Sequence, residues 1–235
     1  KNRLADFPHY LMHRAEQLEN LYIFKNTEGT PENIRKFHPN IIVSSTGSAP
    51  LLPPITGLKD RIDNENYNIY SILGMISHIN DFPKDLEGKK VVVVGGGAVG
   101  LDVVEFFADR NADISIVEMM DQIGRDLDPV SKNDTKTMMK KHNVHQLTKT
   151  ALLEVKDSSF LVKGDGEPYE LPFEYGFVCL GMRAQGQLYQ NLTEEFSSED
   201  VEIMNIGDSQ RARRIIDGTQ EGRNILTILE QRGYL

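Results

Sequence analysis

Six consecutive residues, Gly95, Gly96, Gly97, Ala98, Val99 and Gly100, hold the densest chemical signal in the sequence. Gly95, Gly97 and Gly100 have the GxGxxG spacing that lets a backbone lie against phosphate. Each has its own physical task. Gly95 permits a tight turn out of a strand. Gly97 has no Cβ, so the main chain can approach a pyrophosphate closely. Gly100 lets the following helix pack close to the strand. The pyrophosphate then meets free N–H groups and the positive dipole end at the helix N-terminus. Glycine-rich turns have many uses, so context decides. Here the motif follows the β-branched run from Val91 to Val94, of the kind that fills a parallel strand buried on both faces. It opens a helical pattern carrying Val99, Val103, Val104, Phe106, Phe107 and Ala108, and a second strand over 114–117 ends in Glu118. Glu118 stands 18 residues after Gly100. A carboxylate there accepts hydrogen bonds from a ribose 2′-hydroxyl and repels a 2′-phosphate. The expectation is NAD(H) in preference to NADP(H). The alternative at this point is a glycine turn in a fold that binds no nucleotide.

The other reactive side chains are scattered. No Ser-His-Asp or Cys-His set assembles in the sequence, and no residue is assigned a catalytic role. The six histidines show no ligand clustering; His9 and His13 share a helix face at i, i+4 but lack a third ligand, so no metal is expected. The lone cysteine, Cys179, lies in the apolar run Phe177-Val178-Cys179-Leu180 and reads as a small buried hydrophobe. Arg211, Arg213 and Arg214 form a basic cluster, read either as salt bridges or as contact with a cofactor or neighbouring domain.

The whole chain must position these groups. It has 235 residues, 39% hydrophobic and 26% charged, enough apolar material for a core and against disorder. Its net charge of −9 argues against a nucleic-acid clamp. One cysteine excludes a disulfide framework, a cysteine-based zinc site and a CxxC redox pair. No apolar run reaches the roughly 18 residues of a membrane span. The opening Lys1, Asn2 and Arg3 followed by mixed polar sequence is no signal peptide, so a cytoplasmic protein is expected.

Periodicity predicts a first helix through Phe7, Tyr10, Leu11, Arg14, Leu18 and Leu21, then a short strand over 22–25. Thr30 and Pro31 start a second helix. A strand over 41–43 leads to the Pro-rich connector 49–54, and a helical patch is expected near 69–79. A helix over 129–142, short strands near 152–155, 160–162, 169–172 and 177–180, a strand over 201–206 and a helix from about 215 to 232 complete the reading.

Three apolar runs stop at small residues: Thr46-Gly47, Gly181 and Gly207-Asp208. Glycine at a strand end allows close backbone approach to a ligand. In this order, around the GxGxxG, they resemble the pyridine nucleotide–flavin oxidoreductase type, which binds two dinucleotides. Thr46-Gly47 matches the strand end that crosses from the flavin domain to the NAD domain. Gly95 to Gly100 match the NAD fingerprint, and Gly181 the second strand end. Gly207-Asp208 matches the motif whose Asp hydrogen-bonds the ribityl chain of FAD. Arg213-Arg214-Ile215-Ile216-Asp217 and Glu221-Gly222 narrow the resemblance to the C-terminal part of the multidomain Old Yellow Enzyme relatives: 2,4-dienoyl-CoA reductase, 2-enoate reductase and the amine dehydrogenases.

The resemblance implies an α/β fold in which a Rossmann-like NAD-binding domain, a parallel sheet with helices plus a small antiparallel strand set, is inserted in a partial FAD-binding α/β domain. Residues 1–58 would be its first remnant, 59–192 the NAD(H)-binding domain and 193–235 the C-terminal remnant. It also implies hydride transfer from NADH to FAD in an enoate or dienoyl-CoA reductase-type enzyme. Two alternatives are a stand-alone NADH:acceptor reductase and a structural ADP-binding module without hydride transfer. Before residue 95, Gly29, Gly47 and Gly57 stand isolated, so the fingerprint for the ADP half of FAD is missing. The relatives' N-terminal barrel, with FMN and a cysteine-ligated iron–sulfur cluster, does not fit in this chain either. The chain therefore reads as a fragment or truncated product whose partner is that barrel. FAD is expected in the intact protein and weakly or not at all in these residues.

Overall fold

The computed structural model describes residues 6–234. The polar opening at Lys1, Asn2 and Arg3 lies outside the described residues. Helix α1 (Asp6–Glu16) begins the described chain. Thr30 caps α2 (Pro31–Arg35), its hydroxyl accepting from the Asn33 N–H at 3.2 Å, with Pro31 at the first helical position. Strands β1 (Ile41–Ser44) and β2 (Ser48–Pro50) are separated by Gly47, whose φ is +75°. Next come α3 (Leu58–Arg61), β3 (Ile69–Tyr70) and α4 (Ile72–Ser77). Strand β4 (Lys90–Val94), helix α5 (Ala98–Ala108) and strand β5 (Asp113–Val117) form the β-α-β unit. Helix α6 (Pro129–Lys141) starts at Asp128, whose carboxylate accepts from the Val130 and Ser131 N–H groups. Strands β6 (His145–Leu147), β7 (Ala151–Val155), β8 (Ser159–Lys163), β9 (Tyr169–Pro172), β10 (Tyr175–Val178) and β11 (Met182–Ala184) follow. Helix α7 (Gln187–Glu195), strand β12 (Glu202–Asn205), a single 3-10 turn (Gly207–Ser209) and helix α8 (Ile215–Gln231) end the described chain.

These elements fall into two compact units: Lys1–Val43 with Gln187–Met204, and Ser44–Gly186 with Asn205–Leu235. The larger unit is built on a five-stranded sheet in the order β3-β10-β4-β5-β6, with every pair parallel. The run Val91 to Val94 is buried throughout because it feeds two cores. Val91 and Val93 pack with Phe82, Phe107 and Phe177 on the α5 side. Val92 and Val94 pack with Phe160, Phe173 and Val178 on the other. That second face is covered by the antiparallel sheet β7-β8-β9. On the first, the Phe107 ring lies 4.8 Å from Phe177 and 5.2 Å from Phe82. Each valine withdrawn from water contributes about 1.5 kcal/mol or more, which explains the apolar run without alternation. Strands β2 and β11 form a separate antiparallel pair, Ala49 opposite Arg183.

The smaller unit pairs β1 with β12 and packs α2 and α7 around Ile42, Leu192 and Phe196. The Arg35 guanidinium lies 4.6 Å from the Phe196 ring centroid and pairs with Glu195 at 2.7 Å and with Glu199.

Three expectations need correction. The first helix ends at Glu16, so Leu18 and Leu21 fall beyond it. No strand forms over 22–25: Tyr22, Ile23 and Phe24 are exposed, and a run of apolar residues becomes a strand only when another strand pairs with it. The patch near 69–79 is a strand and then a helix, because the Ser71 hydroxyl accepts from the Gly74 N–H and caps α4 there. Strands β6 and β11 and helix α7 were not expected.

Candidate active site

The chain leaves β4 at Gly95, whose φ is +108°, a conformation open to glycine. A Cβ at Gly95 would overlap the Cys179 carbonyl oxygen, and one at Gly100 would overlap the Gly95 carbonyl oxygen. Turn, β10 and α5 are thus in backbone contact. A Cβ at Gly96 would come within 2.9 Å of Glu118 Oε2. Gly97 differs: nothing lies within 4 Å of where its Cβ would be. Gly97 also opens α5 with no side-chain cap. The first-turn N–H groups and the positive dipole end are therefore left for a ligand.

They face a cavity of about 620 Å³ whose walls include Gly95, Gly97, Ala98, Val99, Glu118 and Gly181. It lies at the carboxyl ends of β4, β5 and β10. From β4 the sheet grows to β5 on one side and to β10 on the other, the switch point where α/β sheets bind ligands. Leu152, Leu180, Pro53 and Ile55 make much of the wall apolar. The size lies within the range of small-molecule and cofactor sites.

Glu118 follows β5 directly. Its carboxylate accepts from the Gly96 N–H at 2.6 Å and from the Met120 N–H at 2.7 Å. Its own backbone is tied to Leu147 and Thr150 at 2.9 Å each. The acid is therefore held at the cavity rim by main chain alone, with lone pairs left for a ligand hydroxyl. An open Gly97, an uncapped helix start and a fixed carboxylate fit a dinucleotide.

The expected site residues fall into two groups within the larger unit. Gly95, Gly97, Ala98, Val99, Glu118 and Gly181 line the cavity, while Gly96 and Gly100 shape its turn from behind. Gly181 has φ +105° and accepts the Leu51 N–H at 2.9 Å. Thr46, Gly47, Gly207 and Asp208 are not among the cavity's walls. The Thr46 hydroxyl donates to the Gln185 carbonyl at 2.6 Å, and the Gly47 carbonyl accepts the Gln185 N–H at 3.0 Å. Next to Gly47, the Ser48 hydroxyl donates to Asp208 Oδ2 at 3.1 Å. The Arg213 N–H reaches Asp208 Oδ1, also at 3.1 Å. Each Asp208 oxygen keeps acceptor capacity, which fits a polyhydroxyl ligand.

Of the basic cluster, Arg213 pairs with Glu221, and Arg214 lies 3.7 Å from Asp217. Burial pushes the Cys179 thiol up to about 12, so it stays neutral. Among the described residues, no group of three or more His, Cys, Asp or Glu could hold a metal. No helix among them is long and apolar enough to cross a membrane. Sequence reading missed Ser48 and Glu221 as contributors to the second group. Glu221 stood in the sequence as part of the Glu221-Gly222 segment that narrows the resemblance, with no role assigned to its carboxylate.

The family model described as "Pyridine nucleotide-disulphide oxidoreductase" matches residues 19–204. A metal reductase of Desulforamulus reducens is 27% identical, across 93% of this chain and 36% of its own length. An NADH oxidase of Thermoanaerobacter brockii is 26% identical, across 81% of this chain and 28% of its own. The chain thus spans about a third of the length of these relatives. A solved 2-naphthoyl-CoA reductase complex superposes with a TM-score of 0.69 at 22% identity, covering 84% of this chain and 28% of that one. At that identity the likeness concerns the fold.

Proposed function

The chain belongs to the pyridine nucleotide-disulphide oxidoreductase family, and on that premise we propose that it is the nucleotide-binding part of a flavin-dependent oxidoreductase. In this reading NADH sits in the cavity above Gly97 and FAD is held in part by Asp208. The observation that carries it is the contrast among the glycines: Gly95 and Gly100 are closed by backbone, while Gly97 alone of the fingerprint glycines opens onto free space beside an uncapped helix. Bound together, the two cofactors would supply the hydride donor and acceptor. The chain's own work is positional. The α5 N-terminus meets the pyrophosphate, Glu118 meets the ribose diol, and the apolar walls at Leu152, Leu180 and Ile55 keep water away.

A dithiol relay is no part of this reading, since the one cysteine is buried and neutral. The metal reductase and NADH oxidase, of which this chain covers 36% and 28%, support a longer oxidoreductase; in this reading its electrons pass on to an enoate or dienoyl-CoA type substrate. Its N-terminal barrel, with FMN and an iron–sulfur cluster, would lie outside these residues, and the setting would be cytoplasmic.

Fluorescence titration with NADH and NADPH tests the site. NADH is expected to bind at least about tenfold more tightly, because Glu118 repels a 2′-phosphate. Equal or tighter NADPH binding sinks the assignment of Glu118. Stopped-flow mixing of the intact flavoprotein with NADH should bleach the flavin absorbance, and no bleaching would leave a structural nucleotide module instead.

A further inference from the structure

The Gly207-Asp208 turn is held by a ring of contacts that no glycine motif predicts. The Gly207 N–H donates to Glu221 Oε2 at 2.6 Å. Glu221 Oε1 pairs with the Arg213 guanidinium. The Arg213 backbone N–H closes the ring on Asp208 Oδ1 at 3.1 Å. Gly207 is left-handed, with φ +66°, yet nothing lies within 4 Å of where its Cβ would be. No close approach of another atom forces this conformation; the bond from Glu221 on α8 holds it together with the Gln210 N–H, which donates to the Gly207 carbonyl at 3.1 Å.

Electrostatics favour the same arrangement. The Gly207 N–H first, and Arg213 second, hold the Glu221 carboxyl below the usual carboxylate range. Arg213 and Glu221 neutralise each other. Asp217 accepts the Arg214 N–H at 3.1 Å at the start of α8, and its charge also acts on Arg213 and Glu221. Asp208 is left as the anionic acceptor of the turn.

We propose that Glu221 is a positioning residue for the flavin: by bridging Gly207 and Arg213 it aims the Asp208 carboxylate at the hydroxyls of the polyol chain. This rests on the reading that FAD binds here. Glu221 need not touch the ligand, since it acts through Asp208.

The test compares wild type, Glu221→Ala, Glu221→Gln, Asp208→Asn and the Glu221→Ala/Asp208→Asn pair in the full-length flavoprotein. FAD dissociation constants, flavin circular dichroism and NADH dissociation constants are the readouts. Glu221→Ala should weaken FAD about tenfold and leave NADH binding unchanged. Glu221→Gln keeps an acceptor for Gly207 but loses the charge pair, and should fall between, at about threefold. In the Asp208→Asn background the Glu221→Ala penalty should shrink below about twofold, because positioning then has no carboxylate to act on. An equal penalty in both backgrounds, or wild-type FAD affinity in Glu221→Ala, overturns the proposal. If Glu221→Ala does not fold, Glu221→Gln decides: unchanged FAD affinity with unchanged circular dichroism overturns it. A wild-type protein that binds NADH but no FAD removes the FAD reading itself, and this inference with it.

Discussion

Two glycine turns, after β4 and after β12, each give a backbone N–H to a carboxylate, Glu118 or Glu221, but differ in how closely main chain packs on them. The turn after β4 is closed by main chain. Gly95 lies on the Cys179 carbonyl and Gly100 on the Gly95 carbonyl, so any side chain at either must displace backbone. The turn at Gly207 meets no atom where a Cβ would stand, and side chains add to its own main-chain bonds: Glu221 reaches it from α8 and Ser48 from β2, while the Arg213 N–H just before α8 meets Asp208. A backbone-closed turn can be altered only by rebuilding the strand and helix around it. A turn tied by side chains can be retuned by single substitutions far along the chain. That difference suits a first site that presents a fixed pyrophosphate cradle and a second whose carboxylate has to be aimed.

Alanine at Gly100 tests the contrast most severely. The added Cβ overlaps a main-chain oxygen rather than the tip of a flexible side chain, so neither partner can relax cheaply. Overpacking of this kind should cost about 3 kcal/mol or more, despite the better helix propensity of alanine, and should abolish NADH binding. Urea unfolding and NADH titration measure both. Alanine at Gly207 meets no atom, so only the left-handed backbone is penalised, by about 1 to 2 kcal/mol. Equal losses for the two substitutions would erase the distinction between the turns.

Gly97 sharpens it from inside the first turn. Its φ is −79°, which any residue adopts, and its Cβ would enter empty cavity. Gly97→Ala should therefore change stability by less than about 1 kcal/mol, the range for replacing glycine at a helix N-cap. NADH affinity should nevertheless fall at least about tenfold, because the methyl group occupies the line of approach of the pyrophosphate. A Gly97→Ala protein with wild-type NADH affinity would mean that the dinucleotide does not cross this turn.

The first turn was legible in the sequence because its constraints are local. A β-branched run, glycines at fixed spacing and an acid after the next strand record backbone geometry directly. The same holds for α2 and α6, where Thr30, Pro31, Asp128 and Pro129 state the helix starts. The second turn was legible only as a motif. Nothing near Gly207 announces that its N–H is taken by a carboxylate 14 residues away, or that Ser48 lies against Asp208. Such contacts depend on the tertiary path, which the pattern of one segment does not encode. The missing strand over 22–25 has the same cause in reverse. Its residues have strand propensity, but none of the strands pairs with it. Strand β11 was missed because three residues, Met182, Arg183 and Ala184, carry no period, and only their pairing with β2 makes them a strand.

The smallest expected effect concerns the wall against which the first turn closes. Cys179 donates its N–H to the Val94 carbonyl at 2.7 Å and presents its own carbonyl to Gly95, the residue as a whole being 7% exposed. Burial raises its thiol from 9.0 to about 12, so the thiolate fraction near pH 8 falls by about a thousandfold. Ellman's reagent should find no reactive thiol in the native protein and one per chain after unfolding. The raised value also fixes the sign of a pH effect. Above pH 9 the unfolded thiol loses its proton while the folded one keeps it until about 12. Folding stability therefore declines with rising pH across that window and is unaffected by this group below it. Cys179→Ala should remove that alkaline component, leaving NADH affinity within about twofold, since the groups that touch Gly95 belong to the backbone. Rapid stoichiometric labelling of the native protein would show that the wall opens, and that the first turn is less firmly closed than its main-chain contacts require.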